Sequence, residues 1–469
     1  MERMDRQEEK THRKTAFLTL GCKVNSYETN AMERLFREAG YEIVDFQDEA
    51  DIYIINTCTV TNIADRKSRQ MLHRARKKNP DALVAAAGCY VQAAGEQLKL
   101  DEAVDVIIGN NQKHNAVEIV EAYLEQNGAG GQNTLSTLPD ISKETGYESL
   151  YIEAAGEKTR AYIKIQDGCN QFCSYCIIPY ARGRVRSRSM EDIVSEVRVL
   201  AQNGYKEIVL TGIHLSSYGV DMEPWKGKCG SFDFAALKGQ PLLEVIKQIS
   251  GISGLERIRL GSLEPRIITE EFAAGLSEYP KVCPHFHLSL QSGCDDTLKR
   301  MNRRYNTKEY LEGCRILRKF FRDPAITTDI IVGFPGETEE EFNKTMEFVR
   351  KVSFADIHVF KFSPRKGTKA WDMDNTVPDQ VKNERSEKLI GLTESLSREY
   401  RTAFRDTIQK VLFEEEVTYE GHAYHTGHNE RYVKLALEVK EGNGSYSNRI
   451  LTVRVGSELK NGMLLCYEM

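Results

Sequence analysis

Residues 167–176 read Asp-Gly-Cys-Asn-Gln-Phe-Cys-Ser-Tyr-Cys and put three thiols, Cys169, Cys173 and Cys176, on one short loop directly after an apolar run. Three thiolates can hold three irons of a 4Fe-4S cube and leave the fourth iron open to a ligand that is not protein. A structural zinc site is the competing reading, but tetrahedral zinc takes four protein ligands and no fourth Cys or His stands nearby in the motif. Cys22, Cys58 and Cys89 each follow a short apolar run and lie more than 30 residues apart. A lone cysteine after a strand packs as a small hydrophobe. At the carboxyl ends of neighbouring parallel strands, however, three of them converge on one edge and can surround a second cluster.

Strands must position these thiols. Between residues 15 and 125 the apolar runs Ala16–Leu20, Ile52–Ile55, Leu83–Ala87 and Val104–Ile108 alternate with amphipathic charged segments. That alternation predicts a parallel sheet with helices on both faces, an α/β domain. A charged leader, 1–14, precedes it, and 126–150 carries the Gly, Asn, Ser and Thr of a linker. A second alternating series over 151–390 has strand candidates Tyr162–Ile165, Ile208–Leu210, Ile258–Leu260, Phe286–Leu290, Thr328–Val332 and Ile357–Phe360. Six strand-helix units predict a partial or full βα barrel. The aperiodic, Gly-rich stretch from Ser216 to Gln240 reads as a long loop beside the barrel mouth. From 398 to 469 short β-type runs, Val411–Phe413, Tyr432–Leu437 and Ile450–Val455, predict a small β-barrel.

A chain of 469 residues has room for about three domains. Apolar residues make up 41%, and no run approaches the roughly 18 residues of a membrane-spanning helix, so no membrane partner is expected and a cytoplasmic location is. Eleven cysteines, an odd number, favour metal or redox chemistry over a disulfide framework. The net charge of −5 excludes an indiscriminate nucleic-acid coat, so RNA binding must come from local patches. Two are visible. Arg66, Lys67, Arg69, His73, Arg74, Arg76, Lys77 and Lys78 load one helix, and Arg182, Arg184, Arg186 and Arg188 alternate after the thiol loop. Either can hold phosphates or be a solvated charged face.

The loop trio resembles the signature of radical S-adenosylmethionine (SAM) enzymes in its spacing, in Tyr175 before the last cysteine and in its place after a barrel strand. The strings Leu20-Gly-Cys-Lys-Val-Asn25, Asn56-Thr-Cys-Thr-Val60, Gly88-Cys-Tyr90 and residues 166–183 resemble, more narrowly, the methylthiotransferase family. The resemblance runs from about residue 15 to the C-terminus and implies an N-terminal domain with an auxiliary 4Fe-4S cluster on Cys22, Cys58 and Cys89. It also implies a radical SAM core and a C-terminal domain of the TRAM type. Lys23-Val24-Asn25 is closest to the branch acting on N6-threonylcarbamoyladenosine (t6A) in tRNA. Other branches act on isopentenyladenosine or on a ribosomal-protein aspartate. An iron-sulfur electron carrier or RNA-binding sensor is the non-enzyme alternative, and formation of 5′-deoxyadenosine from SAM excludes it.

The resemblance implies two 4Fe-4S clusters and SAM as cofactors. Partners would be tRNA carrying t6A in its anticodon loop, a reductant such as a flavodoxin or ferredoxin, and a sulfur source. The product carries a methylthio group at C2 of adenine, a carbon with no acidic proton and no leaving group, where a radical cofactor supplies chemistry that side chains lack. On this reading the Cys169, Cys173, Cys176 cluster is the catalytic one and the other holds sulfur, while a second SAM gives the methyl group. Thr211 and Gly212 end the second strand, Ser262 and Glu264 the third, and Gln291 and Ser292 the fourth, where they would orient the methionine and ribose of SAM. Arg303 and Arg304 lie in a segment common to the family and can equally be solvated charge. Tyr424, Tyr432 and Tyr446 are available for base stacking, with core packing the simpler role.

Two trios lead to a definite iron count. After anaerobic reconstitution the chain should hold about eight irons, and changing Cys169, Cys173 and Cys176 to Ala should remove about half of them and all SAM cleavage. Full iron with continued 5′-deoxyadenosine formation in that variant contradicts the assignment.

Overall fold

The computed structural model describes residues 13–127, 134–154, 159–228, 233–440 and 444–469. Most of the charged leader and residues 229–232 of the long loop lie outside these.

The first domain is a six-stranded, wholly parallel sheet. Its strands are β1 (Lys14–Thr19), β2 (Glu42–Val44), β3 (Ile52–Thr57), β4 (Leu83–Gly88), β5 (Val106–Ile108) and β6 (Leu135–Thr137), in the order β2-β1-β3-β4-β5-β6. Every residue of β3 and β4 is buried, as a strand covered on both faces must be. Helices α1 (Lys23–Glu38), α2 (Asn62–Lys78), α3 (Cys89–Leu98) and α4 (Ala116–Asn127) supply the cover. Tyr53, Ile55 and Val84 pack with Leu72 and Ala75 of α2 on one face, and Ile52, Ile54 and Leu83 with Met32 and Phe36 of α1 on the other. The segment expected as linker differs in part: α4 runs to Asn127, and Leu135–Thr137 pairs in parallel with β5. Three residues are too few to show a period in sequence.

The second domain carries β7 (Arg160–Asp167), β8 (Arg186–Ser187), β9 (Glu207–Gly212), β10 (Arg257–Leu260), β11 (His285–His287), β12 (Ala325–Val332) and β13 (Asp356–Lys361). The ladders run β8-β7-β9-β10 and β11-β12-β13, and single bridges Ile258 to Val282 and Leu263 to Leu288 join them. Among the described residues no ladder closes β13 onto β7, so this is a partial barrel of six parallel strands with β8 antiparallel on its edge. The short α5 (Ile178–Arg182) follows the thiol loop and packs on α3, and outside the barrel lie α6 (Met190–Gln202), α7 (Gln240–Ser250), α8 (Glu270–Ser277), α9 (Asp295–Arg300), α10 (Thr307–Phe320), α11 (Glu339–Val352) and α12 (Asp379–Thr402). The loop from Ser216 to Gln240 shows only single 3-10 turns among its described residues.

The third domain is a closed barrel, β14 (Ile408–Tyr419), β15 (His422–Asn429), β16 (Lys434–Glu438), β17 (Ile450–Glu458) and β18 (Leu464–Glu468), in the order β14-β15-β16-β18-β17. Val411, Phe413, Leu435, Val453, Val455 and Leu464 fill it. It seals the end of the partial barrel opposite the thiol loops. Arg160, the first residue of β7, pairs with Glu414 (2.6 Å) and Glu207 (2.9 Å), and Arg257 and Arg259 of β10 donate to the backbone oxygens of His428 and Glu430. Glu207 is fully buried among three guanidinium groups, which outweigh the cost of its burial and hold its carboxyl well below the usual range. Replacing Glu207 by Gln leaves those cations undercompensated. The expected cost is about 3–5 kcal/mol, read as a lowered thermal transition, and unchanged melting contradicts this account of the seam.

Candidate active site

The first sulfur trio sits where the sheet order reverses, between β1 and β3, at the carboxyl edge where ligands gather. Cys22 caps α1, Cys58 follows β3 and Cys89 opens α3. Two glycines permit this crowding. Gly21 has φ of 101°, and a Cβ there would lie 2.9 Å from Cys58 Sγ. Gly88 has φ of 94°, and its Cβ would lie 2.5 Å from the Thr57 carbonyl oxygen. Asn25 binds the turn together, donating to the carbonyls of Leu20 (2.8 Å) and Thr57 (2.9 Å).

The second trio lies on the loop after β7. Gly168 takes φ of 69°, and a side chain there would run into the Arg184 carbonyl. The Cys169 amide donates to the Gly183 carbonyl, Ser174 donates through its amide to Met301 and through Oγ to Arg300, and Tyr175 is packed against Phe334. The loop is therefore pinned at several points.

Burial raises the thiol pKa of Cys22 and Cys169 and pushes Cys58 up to about 11, and burial with neighbouring Cys173 pushes Cys176 up to about 12. Metal binding takes thiolates, so a cationic iron-sulfur group among these crowded thiols would offset the raised cost of ionising Cys22, Cys58, Cys169 and Cys176. Each trio also receives one guanidinium: Arg182 Nε donates to Cys89 Sγ (3.0 Å) and Arg303 Nη1 to Cys173 Sγ (3.2 Å). A cube held by three thiolates carries net negative charge, and the donor sets fit it.

One cavity of ≈ 1040 Å³ is lined by Cys22 of the first trio and by all three thiols of the second, while Cys58 and Cys89 are buried behind Cys22. Cys22 and Lys23 line it from the first domain, Cys169, Cys173 and Cys176 from the loop, and Tyr432 from the third domain. Thr211, Gly212, Ser262, Glu264 and Gln291 also face it.

The radical SAM superfamily model matches residues 163–349, and the model described as uncharacterized protein family UPF0004 matches 14–109. Threonylcarbamoyladenosine tRNA methylthiotransferase MtaB of Bacillus subtilis (strain 168) is 40% identical over 428 residues, covering 91% of this chain and 90% of that protein. The MtaB of Aquifex aeolicus is 39% identical, with 82% and 89% covered. The tRNA-2-methylthio-N(6)-dimethylallyladenosine synthase of Clostridium tetani is 36% identical, with 87% of each covered. The chain belongs to the radical SAM methylthiotransferase family. SAM and 4Fe-4S clusters are the cofactors of this methylthiotransferase. Its fold is similar to that of the radical SAM methyltransferase TsrM from Kitasatospora setae, with a TM-score of 0.53 at 15% identity over 74% of this chain and 75% of that one.

Several side chains of the methylthiotransferase stand elsewhere than their sequence positions imply. Arg182, Arg186 and Arg188 are buried and do not meet RNA phosphates. Arg182 spends its donors on Glu28, Asp167, Asn25 and Cys89; Arg186 bonds the carbonyls of Arg182 and Arg184; Arg188 pairs with Glu196. Arg184 alone is exposed, lying over the Phe172 ring at 4.5 Å. Ser292 is buried away from the cavity and bonds Thr345 and the Cys294 amide. Gly212 faces the cavity, but the space of its missing Cβ is taken by Gln166, 2.9 Å away. On the basic helix, Arg76 bonds the carbonyls of Pro80 and Ala82 besides Asp105, and Lys78 bonds the Phe46 carbonyl, whereas Arg66, Lys67 and Lys77 are exposed. Tyr424 and Tyr446 are packed in the third domain.

Sequence reasoning passed over His214, two residues after Gly212. It lines the cavity, and burial lowers its pKa to about 4, so it stays neutral. Arg303, whose role the sequence leaves open, is the guanidinium that bonds a sulfur of the second trio, while Arg304 is exposed.

Replacing Arg182 by Met leaves Glu28 and Asp167 undercompensated in the interior, with Lys164 shared between them and Lys113 on Glu28. The expected outcome is a loss of about 3–5 kcal/mol with loss of the first trio's iron, while R184A leaves iron content and melting unchanged. Full iron in R182M contradicts this role.

Proposed function

We propose that this methylthiotransferase converts t6A beside the anticodon of tRNA to 2-methylthio-t6A. Cys169, Cys173 and Cys176 would hold the cluster that works with SAM, and Cys22, Cys58 and Cys89 the auxiliary cluster that holds sulfur. The observation that carries this reading is that Cys22 of the first trio and all three thiols of the second line one cavity. Identities of 40% and 39% to proteins named for threonylcarbamoyladenosine support the choice of base, and 36% to one named for dimethylallyladenosine keeps the alternative in view.

When bound, the clusters and SAM supply a carbon-centred radical, a sulfur atom and a methyl group. The chain's own residues do the rest. Arg303 compensates the charge on Cys173 and is itself held by Tyr305 and the Ser289 carbonyl. Glu264, gripped by Arg266 at 2.9 Å, presents a fixed carboxylate to the cavity, and Ser262 is steadied by Ser289 at 2.8 Å. Thr211 and Gln291 add polar groups on the same wall, suited to the ribose and methionine of SAM. Two arginines of the second domain tie the first domain across the mouth: Arg182 on the β7 side, which bonds Glu28 and Asn25, and Arg365 beyond β13, which donates to Thr59 (2.6 Å) and Asp65 (2.7 Å). A reductant such as a flavodoxin or ferredoxin would deliver electrons, and a separate source would renew the sulfur.

Mass spectrometry of tRNA nucleosides from cells with and without the protein tests the reading. Loss of 2-methylthio-t6A is expected. Its persistence, with loss of 2-methylthio-isopentenyladenosine or of a modified ribosomal aspartate, contradicts it.

A further inference from the structure

Lys23 is the first residue of α1, directly after Cys22, and its side chain lines the cavity. Most cations around that space are already matched. Arg160 pairs with Glu207 and Glu414, Arg259 with Glu207, Arg401 with Glu458, and Lys434 with Glu415. Arg303 bonds Cys173, Tyr305 and a carbonyl. Lys23 differs. Among the described residues it makes no hydrogen bond or ion pair, and its ammonium stands 6.0 Å from the centroid of the Tyr162 ring. Glu207 and Asp329 attract it only at a distance, and Arg160 and Arg259 repel it. Lys23 is open to the cavity, and an ammonium with no bonded counterion favours an anionic ligand there, because Coulomb attraction beside protein walls is less attenuated than in bulk water.

The reaction geometry limits which part of the substrate reaches it. In adenine, C2 and the N6 amine flank N1 on one edge of the ring. Delivery of sulfur to C2 from a cluster on Cys22 therefore brings the N6 substituent to the wall beside Cys22. That wall includes Lys23. In t6A the substituent ends in a carboxylate, which is ionised at neutral pH.

We propose that the Lys23 ammonium is the carboxylate-binding subsite of this cavity, pairing with the threonyl carboxylate and so selecting an anionic N6 substituent over a neutral one. This rests on the t6A reading. A neutral substituent of similar size would cover the cation without matching it, and rejection by a charge covered and left unpaired is stronger than rejection by shape alone.

The test uses the full chain, reconstituted with both clusters, on two anticodon stem-loop RNAs: one with t6A and one with its threonyl methyl ester. The wild type should prefer the acid by about tenfold or more in kcat/KM, the range of one charge-assisted pair. Lys23→Met should bring that ratio to about one, and Lys23→Arg should restore the preference. A wild-type ratio retained in Lys23→Met overturns the subsite while leaving the t6A reading intact. If Lys23→Met loses its iron, the wild type decides, and equal use of acid and ester overturns the subsite. If the wild type modifies neither RNA but acts on an isopentenyladenosine stem-loop, the t6A reading fails and the subsite with it.

Discussion

The structure turns on one buried guanidinium. Arg182 bonds Glu28 of α1 at 2.8 Å and Asp167 of β7 at 3.2 Å, and also reaches Asn25 and Cys89. Lys164 joins both carboxylates and Lys113 reaches Glu28, all of them shut away from solvent. Taking such ions out of water costs several kcal/mol each, so the arrangement holds only when every member is present. Burial alone would raise the carboxyl pKa values; the cations outweigh it, so Glu28 and Asp167 stay ionised far below the usual range. Because the group draws residues from both the sheet domain and the barrel, it fixes one on the other. Cys22 and Cys169 then share a cavity as a consequence.

The rest of the architecture completes that enclosure. A partial barrel leaves a gap between β7 and β13, and the first domain bridges it by holding Arg182 on one lip and Arg365 on the other. The closed barrel at the C-terminus blocks the opposite end, its Tyr432 ring lying 4.8 Å from the Arg259 guanidinium and stacked on His428. The cavity is thereby walled by all three domains.

Much of this was legible in the sequence because the thiols follow strands whose buried runs are unmistakable: β1, β3 and β4 each end just before a cysteine. Short or polar strands were not legible. Leu135–Thr137 has three residues, and His422–Asn429 carries three histidines and a glycine where an apolar alternation would be looked for. Charge was misread for a different reason. Arg182, Arg186 and Arg188 alternate as an exposed basic strand would, yet sequence does not show that Glu28, Asp167 and Glu196 lie opposite them. Likewise Ser292, expected at the end of a barrel strand, lies five residues beyond β11 and turns toward Thr345. In sequence Lys23 marks the branch that the chain resembles, but its place on the cavity wall without a bonded counterion is a property of the fold.

The central claim is that two sulfur trios divide one reaction between them across a shared cavity. The most direct measurement is methylthio product formed per 5′-deoxyadenosine by folded protein in which Cys22, Cys58 and Cys89 are all Ala. With the barrel trio intact, SAM cleavage should continue on about four irons, and product should fall nearly to zero. A product ratio equal to that of the wild type would contradict the account, because cysteines that merely pack cost stability and not sulfur transfer.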